Sequence, residues 1–318
     1  MSLFREVVAR QSGDRPSSVQ GHANAIAWST DGKLATGTTD GWILISELDS
    51  YGNARMKSKF VAHGSKKDVE GLEWHPSDKN QLASCSTDKS LKIWDVRSPS
   101  GPVQQHTSDV DNLSVTYSPD GRYVAMGSVR KEKNVETDIL GIYDLRTKSK
   151  LKSVKFNNMV NDYRWSPSGE YIITTGEKGA IEIMSFGGPR LALVRSLVAH
   201  AGASQGLDID PCNRYLGCGG TDGLVSLWEM DDMVCVRTIE RCETPIRFLS
   251  FNHDGRLLAI GSDDKTVDIA EVDTGTCAHT IETSCTSAKW HPFRPILAGV
   301  VSRPSRGDYG LRLWSFLE

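Results

Sequence analysis

At 318 residues the chain is long for one domain, and 37 Lys and Arg against 40 Asp and Glu leave it near neutral. That balance argues against a dedicated nucleic-acid-binding domain, which is normally basic. Seven cysteines, an odd number with no Cys-x-x-Cys pair, argue against a disulfide framework or a zinc site and point to a reducing compartment.

No run approaches eighteen apolar residues, so no membrane helix is expected. The opening M-S-L-F-R-E-V-V-A-R is too charged for a signal peptide. A soluble intracellular protein with no membrane partner is the expectation.

Residues 1–20 precede the first repeat. Leu3, Phe4, Val7 and Val8 suit a helix turn or a strand, and a strand is expected within 15–20. A register mark, an aromatic or apolar residue opening a W-[SH]-P type turn, then falls at Trp28, Trp74, Tyr117, Trp165, Ile209, Phe251 and Trp290. The steps are 46, 43, 48, 44, 42 and 39 residues, all close to one period of ~40–45.

The unit is clearest from His63 to Asp95. Apolar runs at 69–74, 81–85 and 90–94, separated by turn residues, predict three short strands. A fourth follows before the next repeat. With its opening His and closing Trp-Asp, the unit resembles a WD40 repeat, one four-stranded blade of a propeller. Seven marks imply seven blades and no inserted domain: 1–20 as an N-terminal segment and 21–318 as an all-β, seven-bladed propeller. Only four residues follow Trp314, too few for the last blade's outer strand. The N-terminal strand is expected to supply it and remove the free edge.

In blade two, His63, Ser84, Asp88 and Trp94 stand at the positions of the family's hydrogen-bonded tetrad. A buried indole N–H needs an acceptor, which Ser84 supplies; Ser84 donates to His63, and His63 to Asp88. These four residues are expected to be structural rather than catalytic or metal-binding. The other blades depart from the set. Blade one has Ser46 at the Trp position, blade three Tyr143, blade four Met184 and blade six Ala270. Blade five keeps His200, Asp222 and Trp228 but has Cys218 at the Ser position, which predicts a weaker network. The tetrad is thus expected complete in blade two alone. Blade three carries an extended loop between Gly127 and Ile139, and blade seven a polar insertion after Val300.

The runs 221–239 and 245–275, with the Trp-less ending V-D-I-A-E-V, resemble the WD-repeat subunit family of the THO/TREX assembly. So do F-R-E near the start, I-E-I-M-S-F in blade four and A-K-W-H-P-F-R-P-I-L-A in blade seven. The resemblance implies a non-catalytic scaffold in the nucleus that couples transcription to messenger-RNA processing and export. It implies docking onto other THO subunits, the large helical scaffold subunit among them. Indirect partners would be a DEAD-box helicase, export adaptors and nascent messenger RNA.

No G-x-S-x-G, H-E-x-x-H or G-x-x-x-x-G-K motif appears, so neither an enzyme nor a cofactor is expected. Repeat position accounts for His22, His63, His75, His200 and His291, which leaves no case for a metal. The stretch 122–155 is locally basic. Arg130, Lys131, Lys133, Lys148, Lys150 and Lys152 form a candidate patch for weak direct RNA contact or an acidic partner. A solvated outer strand is the plainer reading. The alternation of Lys148, Lys150 and Lys152 predicts one strand face. Candidate docking loops run from Ser128 to Asp138 and from Ser302 through Arg303 and Arg306 to Gly310. Trp94-Asp95-Val96-Arg97 also matches the W-D-x-R of cullin-type ubiquitin-ligase substrate receptors, the alternative function.

Overall fold

The computed structural model describes residues 20–316 except 51, 65, 133–134, 157, 188–190 and 303–308; for 130–132 and 135–136 it describes the backbone alone. The described residues form twenty-seven strands and no helix. The strands make seven antiparallel sheets of consecutive strands, six with four strands and the last with three. The chain is a seven-bladed β-propeller of all-β class. The N-terminal strand expected within 15–20 lies outside the described residues, save Gln20, whose N–H donates to Asp40 Oδ2 (2.7 Å).

Two compact units divide the described residues. One holds blades one to three, within 20–156, together with 309–314; the other holds residues 158–302 with 315–316. In the first, blade two shows how a strand buries both its faces. In Gln81–Ser86 the five residues after Gln81 are all buried. Leu82 packs with Ile43, Phe60, Trp74 and Trp94 toward blade one. Its neighbour Ala83 packs with Ile93, Val115, Tyr117 and Met126 toward blade three. Period-two alternation therefore feeds two cores at once, and a strand buried on both faces reads as a continuous apolar run. Blade five repeats the pattern in the second unit. Cys218, Leu216 and Trp228 face blade four, while Val225, Leu227 and Ile239 face blade six.

The turns follow from residue chemistry. In the W-S-T-D-G and Y-S-P-D-G types, Gly32 and Gly121 adopt φ of 84° and 70°. Blade five ends its turn on Asn213 at φ 59°, the residue after glycine most tolerant of that region. Each innermost strand carries a register shift, as at Val69/Gly71 and Ile246/Phe248. In five blades a second shift falls at the closing-Trp position: Ile45/Ser46, Ile142/Tyr143, Ile183/Met184, Leu227/Trp228 and Ile269/Ala270. Such bulges bend the outer strand and increase its twist.

The expected loop at 128–138 is corrected. Tyr123–Glu132 and Val135–Asp144 are ten-residue strands paired along their whole length, from Tyr123↔Asp144 to Glu132↔Val135. Val129, Val135, Thr137 and Ile139 are strand formers, and the charges that suggested a loop ride on a hairpin. Ser128 is accordingly not a docking-loop residue. It is buried at 5% exposure, and its Oγ donates to Asn112 Oδ1 (2.9 Å).

Candidate functional site

In blade two, the indole Nε1–H of Trp94 donates to Ser84 Oγ (2.9 Å), and Ser84 Oγ lies 2.8 Å from His63 Nε2. His63 Nδ1 reaches Asp88 Oδ2 at 2.9 Å. Trp94 uses Ser84 as acceptor, so the hydroxyl proton is free for Nε2, and Nδ1–H then donates to Asp88. Burial lowers the His63 pKa and keeps the ring neutral, the state this tautomer needs. Burial opposes ionisation of Asp88. Hydrogen bonds from His63, Ser90 and the Gly64 N–H outweigh it and hold the carboxyl well below the usual range. Ser90 is a fifth member that sequence reasoning missed: its Oγ–H donates to Asp88 Oδ1 at 2.5 Å.

Blade five is not incomplete. Trp228 Nε1–H donates to Ser226 Oγ (2.9 Å), Ser226 Oγ lies 3.1 Å from His200 Nε2, and His200 Nδ1 lies 3.0 Å from Asp222 Oδ1. The register explains the substitution. Cys218 pairs directly with Ser226, as Ser84 pairs with Lys92 in blade two. A hydroxyl on either strand enters the same space, a signal legible only once the pairing is known. Burial pushes the Cys218 thiol up to about 12, which leaves it no thiolate to act as nucleophile. In the other blades Ser46, Tyr143, Met184 and Ala270 pair as Trp94 does, opposite Leu34, Val124, Ile172 and Leu258.

The basic stretch divides. Lys148 lies in the turn at φ 54°, before the strand Ser149–Lys155. Tyr143 pairs with Lys150 but Ile142 with Lys152, a register shift that leaves Leu151 as the extra residue. Adjacent Tyr143 and Ile142 point to opposite faces, so Lys150 and Lys152 do too. The single basic face expected from the alternation does not form. Lys150, Ser153 and Lys155 share the face of Tyr143, Gly141 and Ile139. The Arg130 and Lys131 side chains, and Lys133, Arg303 and Arg306, lie outside the described residues. Of the second candidate loop, Ser302 N–H donates to Ser284 O (2.8 Å) and Gly310 turns at φ 80°. Asp138 accepts from the Phe156 N–H (2.9 Å). In the W-D-x-R run, Arg97 chelates its own Asp95 at 3.0 and 2.6 Å. Among the described residues no three His, Cys, Asp or Glu gather to hold a metal ion.

Comparison with known proteins agrees with this architecture. The WD domain, G-beta repeat, matches at 13–45, 55–95 and 191–229, and the anaphase-promoting complex subunit 4 WD40 domain at 226–296. The β-propeller domain of Myceliophteria thermophila Cps50 (Swd1) superposes with a TM-score of 0.76 over 98% of this chain and 99% of that one. At 16% identity it speaks to fold alone. THO complex subunit 3 of Arabidopsis thaliana is 35% identical over 240 residues, 74% of this chain and 73% of the relative. The chain belongs to the THO complex subunit 3 family. WD repeat-containing protein AAC3 of Dictyostelium discoideum is 33% identical over 87% of this chain, which spans 61% of that protein's length. Membership of the THO complex subunit 3 family and the propeller fold fit a non-catalytic scaffold.

Proposed function

We propose that the chain is a non-catalytic scaffold subunit of a THO-type complex in the nucleus, coupling transcription to messenger-RNA processing and export. The observation that carries this is the 35% identity to THO complex subunit 3 over 240 residues, 73% of that protein. Blades preset their loops, so a partner docks without a large ordering cost. The direct partners are other THO subunits, including the large helical scaffold subunit. The DEAD-box helicase, export adaptors and nascent messenger RNA are reached through them. The tetrad residues His63, Ser84, Asp88 and Trp94 hold the blade, and docking uses segments such as 302–310.

Affinity purification of the tagged chain from nuclear extract, read by mass spectrometry, tests the proposal. THO subunits should dominate at near-equal abundance. Recovery of a cullin adaptor in their place would overturn it in favour of the ubiquitin-ligase receptor. Turnover of a peptide or nucleotide by the pure protein would overturn the non-catalytic reading.

A further inference from the structure

Blade three departs from blade two in a way that opens a recess. Thr107 pairs with Ser90 as Val61 pairs with Trp42, so Ser108 stands at the Ala62 position and Asp109 at the histidine position. Val124↔Tyr143 and Met126↔Gly141 repeat Leu82↔Trp94 and Ser84↔Lys92. The imidazole and the lysine stem of blade two are thus replaced by the shorter Asp109 carboxylate and a hydrogen. What remains is a recess of about 220 Å³.

Its lining is cationic and hydroxylic. Ser108, Ser128, Tyr143, Lys150, Ser153 and Lys155 face it. The Lys150 ammonium lies 5.9 Å from the Tyr143 ring centroid and 3.6 Å from where a β-carbon on Gly141 would sit. Among the described residues no carboxylate pairs with Lys150 or Lys155. Asp109 also lines the recess. Two ammonium groups against one carboxylate leave a single positive charge, the complement of a monoanion. Below the recess, fully buried Asn112 has its Oδ1 2.9 Å from both Ser108 Oγ and Ser128 Oγ, while its Nδ2 has no hydrogen-bond partner. The two orientations of a side-chain amide are an assignment. Turned over, Asn112 would donate to both hydroxyls; the Ser108 proton then goes to Val110 O (2.6 Å), and the Ser128 proton is released toward the recess.

We propose that this recess binds the carboxylate of an acidic side chain presented by a protein partner, with Lys150 and Lys155 as counter-charges and Ser128 as donor. An RNA strand fits less well, because a phosphate track needs a row of cations. Here the register shift turns Lys152 to the other face and Lys148 sits in the turn, so among the described residues no row leads away from the recess. The inference concerns the recess alone and holds whichever assembly the chain joins.

The test is fluorescence anisotropy of the full chain with a labelled ten-residue Glu-rich peptide and its Gln counterpart, in low salt. The Glu peptide should bind and the Gln peptide should not. Lys150→Gln with Lys155→Gln should weaken binding about tenfold, the scale of one or two charge-assisted hydrogen bonds. Ser128→Ala, which removes the hydroxyl donor without removing a cation, should weaken it too. Lys148→Gln with Lys152→Gln should change it less than about twofold. Equal loss in the two lysine pairs would mean a diffuse basic surface and overturn the proposal. So would undiminished binding by a folded Ser128→Ala chain, or an oligouridylate that displaces the peptide and shows the same lysine dependence. The lysine variants alter exposed side chains, with Lys152 half-exposed, and decide the matter even if Ser128→Ala fails to fold.

Discussion

Trp94 and Trp228 each hand an indole proton to a serine that also meets a histidine. Trp94 also packs against Phe60, with ring centroids 4.9 Å apart. Removing the ring leaves a cavity and unpaired polar atoms. Trp94→Ala is therefore expected to cost roughly 3–5 kcal/mol, against a usual total of roughly 5–15 kcal/mol. Urea unfolding and soluble yield would show it; unchanged stability with lost partner binding would instead place Trp94 at an interface. In blade five, Ser226→Ala should cost about 1–3 kcal/mol, because Trp228 Nε1 loses its acceptor in a buried site. Cys218→Ser should cost little, since the hydroxyl it would add is already supplied from the facing strand. His291 ties stability to pH. Burial, with the nearby Arg294 and His253 charges, lowers it to about 4, and its neutral Nδ1 accepts the Phe293 N–H (3.3 Å). An unfolded histidine titrates near about 6.5. Between these values the unfolded chain binds the extra proton, so stability falls as pH drops from about 6.5 to about 4, by roughly 3 kcal/mol at most. His291→Gln should flatten that part of a melting-temperature profile against pH.

At the scale of the element, the blade-three hairpin stands apart. Its inner neighbour pairs only as far as Val129↔Asp111, and its outer neighbour only from Ile139↔Lys155. Beyond those pairs, among the described residues, the two long strands pair only with each other, from Arg130↔Thr137 to Glu132↔Val135. Two strands alone are marginal in water. Replacing 130–137 by Asn-Gly, which suits a two-residue hairpin turn, is expected to shift the melting temperature by only a few degrees. In hydrogen exchange, amides at 130–132 should exchange faster than those at 124–128, which have partners on both sides. Equal protection would mean that a further element covers the tip.

At the scale of the molecule, the last sheet has three strands among the described residues where the other six have four. An unfilled sheet edge offers its backbone to another chain. Deleting residues 1–20 is therefore expected to lower the melting temperature and promote self-association, measured by calorimetry and sedimentation velocity. A truncated protein that melts like the full chain and stays monomeric would remove the N-terminal segment from the seventh sheet.

Much of this was legible in one dimension. The repeat period, the strand Val69–Trp74, a strand beginning at Ser90 and the His63-Ser84-Asp88-Trp94 set all depend on local spacing, and local spacing is what a chain displays. The misreadings share one cause. Counting residues along a strand cannot reveal a bulge, so Lys150 and Lys152 looked like neighbours on one face until the register shift at Ile142/Tyr143 parted them. Nor can it reveal which residue lies opposite another, so Ser226 stayed hidden behind Cys218, and the recess left by Asp109 and Gly141 could not be seen. Those features are decided by hydrogen-bond register between strands. The side-chain period is two, and one added residue reverses every face that follows it.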